Sequence, residues 1–237
     1  MEKTKAFVVR YLKYGDSGLI MHFYTREFGM QSFIFKGFYK SKNKNRALLF
    51  PMTEMELSFT ENKRSDLKYA KNLQTLNAFS NAHSNPVKSI ILQMLTEVLY
   101  SILKQDEPNP FLYDFILKQV NLFNDKKENF ADFHLVLLLN LTSFLGFFPN
   151  TEKQDLSIFD LEEGDFSDTQ KSSFSLSEQE TVLWKKLIDA NFDEVSLNIF
   201  NQSQRKELLN ILLKYYQLHL PGFREPKSLE VIKVLFG

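Results

Sequence analysis

The chain has 237 residues, 43% of them hydrophobic, with eight Gly, seven Pro and 24 Phe, which suits one large or two ordinary globular domains and excludes a fibrous or broadly disordered protein. It has no cysteine, so disulfides, thiol catalysis and thiolate-ligated zinc are excluded, in keeping with a reducing compartment. The net charge is zero, yet residues 1–80 carry 14 Lys and Arg against 7 Asp and Glu, a balance of +7, whereas residues 81–237 carry 15 against 22, a balance of −7. That division reads as a basic module followed by an acidic one, with the basic module the landing place for an anionic ligand.

The opening residues Met1–Lys5 run straight into an alternating segment instead of a long apolar one, and the longest apolar run, Leu135–Leu139, is far shorter than the roughly 20 residues of a membrane span. A cytoplasmic protein without membrane contact is expected. Lys5–Lys13 alternates, with Phe7, Val9 and Tyr11 on one face and Ala6, Val8 and Leu12 on or near the other, the pattern of a strand covered on both sides. After a turn at Gly15–Gly18, a second strand is predicted over Leu19–Thr25 and a third over Met30–Lys36, joined by a turn at Glu27–Gly29. Pro51 is expected to open a fourth strand containing Met52, Met55, Leu57 and Phe59, and Lys68–Leu76 supplies a fifth. Five short strands in about 75 residues fit a small barrel that hides its own edges, an OB-fold first and an SH3-like barrel as the alternative that periodicity leaves open.

From Asn85 the apolar period becomes helical. Asn85 is a predicted N-cap with Pro86 at the first helical position, followed by a stripe from Ile90 to Ile102. Pro108 and Pro110 break the run before a helix over Phe111–Phe123, and Phe130–Phe148 forms a third helix, apolar nearly all round and therefore central to a bundle. Ser177 with Glu180 makes a capping box, Ser203 is expected to precede the next helix, and Leu229–Phe236 ends the chain. Between them, residues 150–175 lose the pattern. Thr151–Asp168 holds seven acids and one lysine, interspersed with Leu156, Ile158, Phe159, Leu161 and Phe166. This segment reads as a solvated excursion pinned by its aromatics; the sharper reading is a docking surface for a basic partner or a guard that competes for the basic module. The expected architecture is thus α+β and multi-domain: an OB-fold barrel over 1–80, then an all-α helical bundle over 81–237 with an acidic irregular excursion at 150–175.

No catalytic constellation is visible. His22, His83, His134 and His219 are far apart and lack metal-ligand neighbours at helical spacing, so each is expected to be structural. There is no phosphate-binding glycine loop and no nucleophile elbow. Asp160, Glu162, Glu163 and Asp165 can in principle hold a divalent cation, although such clusters are usually just solvated. A non-enzymatic protein with no metal or cofactor is expected. The one-sided feature is Lys36–Arg46, KGFYKSKNKNR, with five cations, two aromatics and no acid; no acidic residue occurs between Glu27 and Glu54. Such a block suits nucleic acid, with Lys36, Lys40, Lys42, Lys44 and Arg46 meeting phosphates and Phe38 or Tyr39 stacking on bases. Arg10, Lys13 and Arg26 are candidates to widen the patch. A merely solubilising surface is the plainer reading of the same lysines.

Several segments in order resemble the RecO family of bacterial DNA repair and recombination mediators. They are Val8-Val9-Arg10, Tyr14-Gly15-Asp16-Ser17, Phe23-Tyr24-Thr25-Arg26-Glu27-Phe28-Gly29, Lys36-Gly37, Pro51, Glu107-Pro108-Asn109-Pro110, Phe144-Leu145-Gly146-Phe147-Phe148-Pro149 and Lys227-Ser228-Leu229. The resemblance implies an OB-fold followed by a helical domain and binding to single- and double-stranded DNA. It also implies annealing of complementary strands and cooperation with RecR in loading RecA onto DNA coated by single-strand-binding protein. It places DNA-contacting cations in the barrel and in the loop after its third strand, which here makes Lys36 and Lys40 the firmest positions. Many members carry a four-cysteine zinc site after the Gly-Phe-Pro helix end; a chain without cysteine has none, and Phe159, Leu161 and Phe166 are expected to do by packing what the metal does there. For the acidic, apolar-ended tail of single-strand-binding protein, Lys185, Lys186, Arg205, Lys206 and Arg224 are candidates. The rival to a DNA-binding mediator is an adaptor that recruits proteins through the acidic helical domain and touches DNA only weakly.

Overall fold

The computed structural model describes residues 2–39, 49–60, 67–103, 107–192 and 198–235, and the chain forms two compact units. The first is Met1–Asp125 with Pro226–Ser228; the second is Lys126–Glu225 with Leu229–Gly237.

In the first unit β1 (Glu2–Tyr14), β2 (Gly18–Thr25), β3 (Gly29–Phe35), β4 (Glu54–Thr60) and β5 (Leu67–Asn77) form a closed barrel in the order β1-β2-β3-β5-β4. β1 pairs antiparallel with both β2 and β4, while a short parallel pairing of β3 with β5, Ser32 to Leu67 and Phe33 to Lys68, completes the ring. That connectivity is the OB type. Alternation explains the strands: Ala6, Val8, Leu19, Met21, Phe23, Phe33, Met55, Leu57 and Phe59 point inward and are buried together. On the outside Phe7 and Tyr24 are also buried, stacked against Tyr113 at 5.5 and 6.3 Å, so these strands are covered on both faces.

Two local expectations are corrected. Phe7, Val9 and Tyr11 do not share one continuous face, because the register of β1 on β2 shifts between Val8 and Arg10; this bulge changes which residues face the core beyond it. Pro51 does not open β4. Pro51 and Met52 form a turn in which buried Met52 takes a left-handed φ of 63° and donates its N–H to Val8 O at 2.8 Å, and the strand begins at Glu54.

Among the described residues the barrel is followed by α1 (Ser80–Ser84), which periodicity had not suggested, α2 (Pro86–Leu103) and α3 (Pro110–Asp125). Asn85 caps α2 as expected, its Oδ1 accepting the N–H groups of Val87 and Lys88 at 3.0 and 3.2 Å. α2 is long and apolar enough to cross a membrane, but Ile91, Leu92, Met94, Leu95, Val98 and Leu99 are all buried within the unit, as in a core helix. Buried Lys88 is held by the end of α3, donating to Phe123 O at 2.6 Å and Asn124 O at 3.2 Å, where the helix leaves carbonyls without intrahelical partners.

The second unit is built on α4 (Phe133–Phe144), whose Leu135–Leu139 run is buried throughout, with α6 (Gln202–His219) and α5 (Glu178–Ile188) packed on it. Tyr216 Oη donates to Leu138 O at 2.8 Å. The Ser177–Glu180 capping box of α5 is present, whereas α6 is capped by an Asn201–Gln204 box and Ser203 lies inside the helix, because Asn201 offers a side-chain acceptor two residues earlier. A final helix, α7 (Leu229–Leu235), follows. Buried Asp132 accepts the N–H of Phe200 at 3.0 Å and pairs with Arg205 at 3.3 Å; burial raises its pKa against these partners. Neighbouring His134 is fully buried, and burial pushes it down to about 3, so it is neutral.

The acidic excursion is ordered. A two-stranded hairpin, β6 (Ile158–Asp160) and β7 (Asp165–Ser167), inserts Phe159 and Phe166 into a cluster with Trp184 and Tyr215, with Leu161 nearly buried. The packing expected of Phe159, Leu161 and Phe166 is therefore present. Asp160, grouped by sequence with solvated acids, is instead the buried centre of the turn. Its Oδ1 accepts the N–H groups of Glu162 and Glu163, each at 3.0 Å, and its Oδ2 accepts the hydroxyls of Ser172 and Ser175 at 2.7 and 2.6 Å. Burial alone raises such a carboxyl, but these four hydrogen bonds outweigh it and hold Asp160 below its ordinary pKa. Gly164 closes the hairpin at φ +68°, with the hydroxyl of Tyr215 3.0 Å from where a Cβ would sit.

Candidate nucleic-acid interface

The barrel has two chemically different ends. β2 spans eight residues, so at about 3.3 Å per residue its ends lie roughly 23 Å apart. At one end lie the β1–β2 turn and the exit of β3; at the other lies the β2–β3 turn.

At the first end, Lys36 leaves β3 exposed, and Gly37 turns the chain at φ +68°. Phe38 then folds inward and is buried in the barrel core, while Tyr39 remains 49% exposed. The Tyr39 N–H donates to Ser17 O at 3.1 Å, which ties this turn to the β1–β2 turn and so to Lys13 and Tyr14. Lys36 Nζ lies 5.4 Å from the centre of the Tyr69 ring, itself 44% exposed on β5, a cation–π contact that leaves the ammonium open to solvent. Among the described residues neither Lys36 nor Lys13 has a carboxylate partner; Asp16, in the β1–β2 turn, is the acid nearest Lys13 in sequence. Cations without acid partners beside exposed phenol rings are what a backbone-tracking, base-stacking surface requires.

The second end is neutralised. Arg26 donates from Nε and Nη2 to the two oxygens of Asp114 at 2.8 and 2.7 Å, and Glu27 stands 3.5 Å from its Nη1. The hydrogen bond it donates to Asp114 raises the arginine pKa further, while Arg26 holds Asp114 below its ordinary value. Lys3 pairs with Glu56 at 2.8 Å. An open cleft here is lined by Lys3, Lys5 and Arg26 and equally by Glu27, Glu56 and Asp114. Glu54, close by, accepts from Tyr113 Oη at 3.4 Å, and burial raises the pKa of both groups.

The structure therefore separates the residues that sequence grouped together. Lys36 and Tyr39 share one end with Lys13; Lys40, Lys42, Lys44 and Arg46 lie outside the described residues. Phe38 fills the core and offers no face for stacking, because the left-handed turn at Gly37 breaks the alternation of Phe33 and Phe35 and brings Phe38 inward. Arg10 lies elsewhere, its guanidinium 5.1 Å over the ring of Tyr100 on α2, and Arg26 is bound to Asp114 at the far end. Tyr14 and Tyr69 were missed; the signal was present, since each tyrosine directly follows a lysine. Among the residues proposed for the tail of single-strand-binding protein, Arg205 is engaged by Asp132, and Lys185 Nζ donates to Leu156 O at 2.6 Å. His22 bonds Ser32 Oγ at 2.8 Å, His83 bonds Pro51 O at 2.9 Å and His219 bonds Leu161 O at 2.8 Å.

Comparison with known proteins gives matches over both parts of the chain. A family model described as Recombination protein O N terminal matches residues 1–79, and one described as Recombination protein O C terminal matches residues 83–230. The chain is 35% identical over 237 residues to a protein named DNA repair protein RecO from Flavobacterium psychrophilum, covering 99% of each. It is 34% identical to the protein of that name from Christiangramia forsetii, covering 99% of this chain and 98% of the relative, and 30% identical to that from Azobacteroides pseudotrichonymphae, with the same coverages. With an OB-type barrel, a helical region and relatives matched end to end, the chain belongs to the recombination protein O family.

Proposed function

We propose that this protein acts in DNA repair as a non-catalytic mediator that binds single- and double-stranded DNA through the open end of its barrel and anneals complementary strands. The observation that carries this reading is the contrast in ion pairing: among the described residues Lys13 and Lys36 have no carboxylate partner beside exposed Tyr39 and Tyr69, whereas Arg26 and Lys3 are neutralised at the opposite end. The sequence continues from Tyr39 with Lys40, Lys42, Lys44 and Arg46, which add positive charge to the same chain segment. Lysines that neutralise phosphates release condensed counterions and let two anionic strands approach, and tyrosine rings accept bases of any sequence. No nucleotide hydrolysis enters this mechanism.

Within the same reading, RecR and single-strand-binding protein are the protein partners, and RecA loading on coated DNA is the outcome, all in the cytoplasm. Family membership supports these assignments. The test is annealing of complementary strands coated with the cognate single-strand-binding protein, with and without RecR, over a salt series. Annealing that weakens steeply with salt and is lost in the Lys36→Glu, Lys40→Glu, Lys44→Glu variant is the expected result. Annealing by this variant equal to that of the parent chain would instead favour recruitment through the helical unit.

A further inference from the structure

β1 outruns its second neighbour. It pairs with β4 over Glu2–Phe7, and Val8 exchanges backbone hydrogen bonds with Met52 and Thr53; beyond that, among the described residues, Arg10–Tyr14 pairs only with β2. All five of these residues are exposed, including Tyr11 at 43%, Leu12 at 41% and Tyr14 at 48%. An extended segment with one edge unpaired among the described residues and three large exposed side chains is a template for another strand. The two cations in it are the usual means of blunting such an edge, so what matters is which incoming strand they tolerate.

The sequence Arg10-Tyr11-Leu12-Lys13-Tyr14 is self-complementary when reversed. An antiparallel pairing centred on Leu12 sets Arg10 opposite Tyr14, Tyr11 opposite Lys13, Leu12 opposite Leu12, and then the same pairs again. Each cation meets a ring and none meets a cation, a favourable set of cross-strand pairs. Moving the axis to Lys13 opposes lysine to lysine, and moving it to Tyr11 sets Arg10 against Leu12. We propose that this edge is the interface of a two-fold homodimer in which β1 of one copy pairs antiparallel with β1 of a second about Leu12. Two barrels then share one extended sheet. Five residues per strand make an interface below the standard size for stable complexes, so the dimer is concentration-dependent. This inference concerns association of the protein with itself, although its edge includes Lys13 and so adjoins the DNA-binding surface proposed above.

The absence of cysteine gives a direct test. Opposed residues of an antiparallel pair have Cα atoms about 4.5–5.5 Å apart, within the range a disulfide spans. Leu12→Cys is therefore expected to form a disulfide-linked dimer under mild oxidation at least about tenfold faster than Val182→Cys, an exposed control on α5, because pairing raises the effective thiol concentration. Sedimentation velocity of the cysteine-free chain is expected to show a monomer–dimer equilibrium that Leu12→Lys shifts to monomer without altering its circular dichroism spectrum. Equal cross-linking rates for the two cysteine variants, or a parent chain monomeric across the whole concentration series, would overturn the proposal. Loss of DNA affinity on Leu12→Lys with no change in sedimentation would overturn it too and assign the edge to the nucleic-acid surface. The sedimentation arm is run without DNA, so failure of the DNA-binding reading leaves it intact.

Discussion

The two ends of the barrel carry similar residues and have opposite electrostatic character. Arg26, half-buried, and Lys36, exposed, are both cations at the ends of neighbouring strands, yet Arg26 is forked onto Asp114 at 2.7–2.8 Å while Lys36 rests against the ring of Tyr69. An exposed cation whose field is cancelled by a carboxylate at contact distance attracts phosphate little, because the pair looks neutral beyond about a Debye length of 10 Å at 0.1 M salt. A cation resting on a ring keeps its full charge. The difference teaches that counting Lys and Arg locates a basic module, and that ion pairing then decides which of its surfaces is basic.

The contrast breaks most readily at the open end. Lys36→Glu, Lys40→Glu and Lys44→Glu together are expected to lower the dependence of log affinity on log salt for single-stranded DNA by about 2, at roughly 0.7 per lost phosphate contact, with a large loss of affinity at low salt. Fluorescence anisotropy over a salt series measures both. Tyr39→Ala and Tyr69→Ala are expected to weaken binding by about 1–3 kcal/mol for each stacked base with the salt dependence unchanged, which separates stacking from charge.

A pH series extends the comparison to the second unit, where burial shifts the pKa of one histidine. His134 is held neutral to about pH 3 in the fold but takes up a proton near 6.5 when unfolded, so the unfolded state binds more protons between these values. Stability therefore falls as pH drops below about 6.5, by up to about 1.4 kcal/mol per unit. The raised carboxyl of Asp132 acts in the opposite sense. Chemical denaturation from pH 7.5 to 5 is expected to show this decline, and His134→Leu to flatten it. Smallest is the effect at the neutralised end: Arg26→Ala is expected to change DNA affinity by less than about twofold, since its charge is already cancelled at contact range.

Much of the fold was legible because it rests on periodicity. Alternation marked the five strands, and the 3.6-residue stripe with Asn85 and Ser177 as caps marked the main helices. What was illegible depends on contacts between residues distant in sequence. The bulge after Val8 that breaks the face of Phe7, Val9 and Tyr11 follows from pairing with β2, and the parallel β3–β5 closure is invisible to any local pattern. The same holds for the site. Lys36 and Tyr39 were readable as exposed, but Phe38, one residue away, is core, and Arg26 met Asp114 from 88 residues off. Asp160 is the clearest case: among seven acids it looked solvated, and only the placement of Ser172 and Ser175 makes it the buried centre of its hairpin.

The open and neutralised ends are compared most directly by the salt dependence of single-stranded DNA affinity in two single variants, Lys36→Glu and Arg26→Glu, measured beside the parent chain with matched circular dichroism. A slope reduced by about 0.7 for Lys36→Glu and hardly changed for Arg26→Glu is expected if phosphate meets only the open end. Equal reductions in both, or a reduction confined to Arg26→Glu, would contradict that assignment.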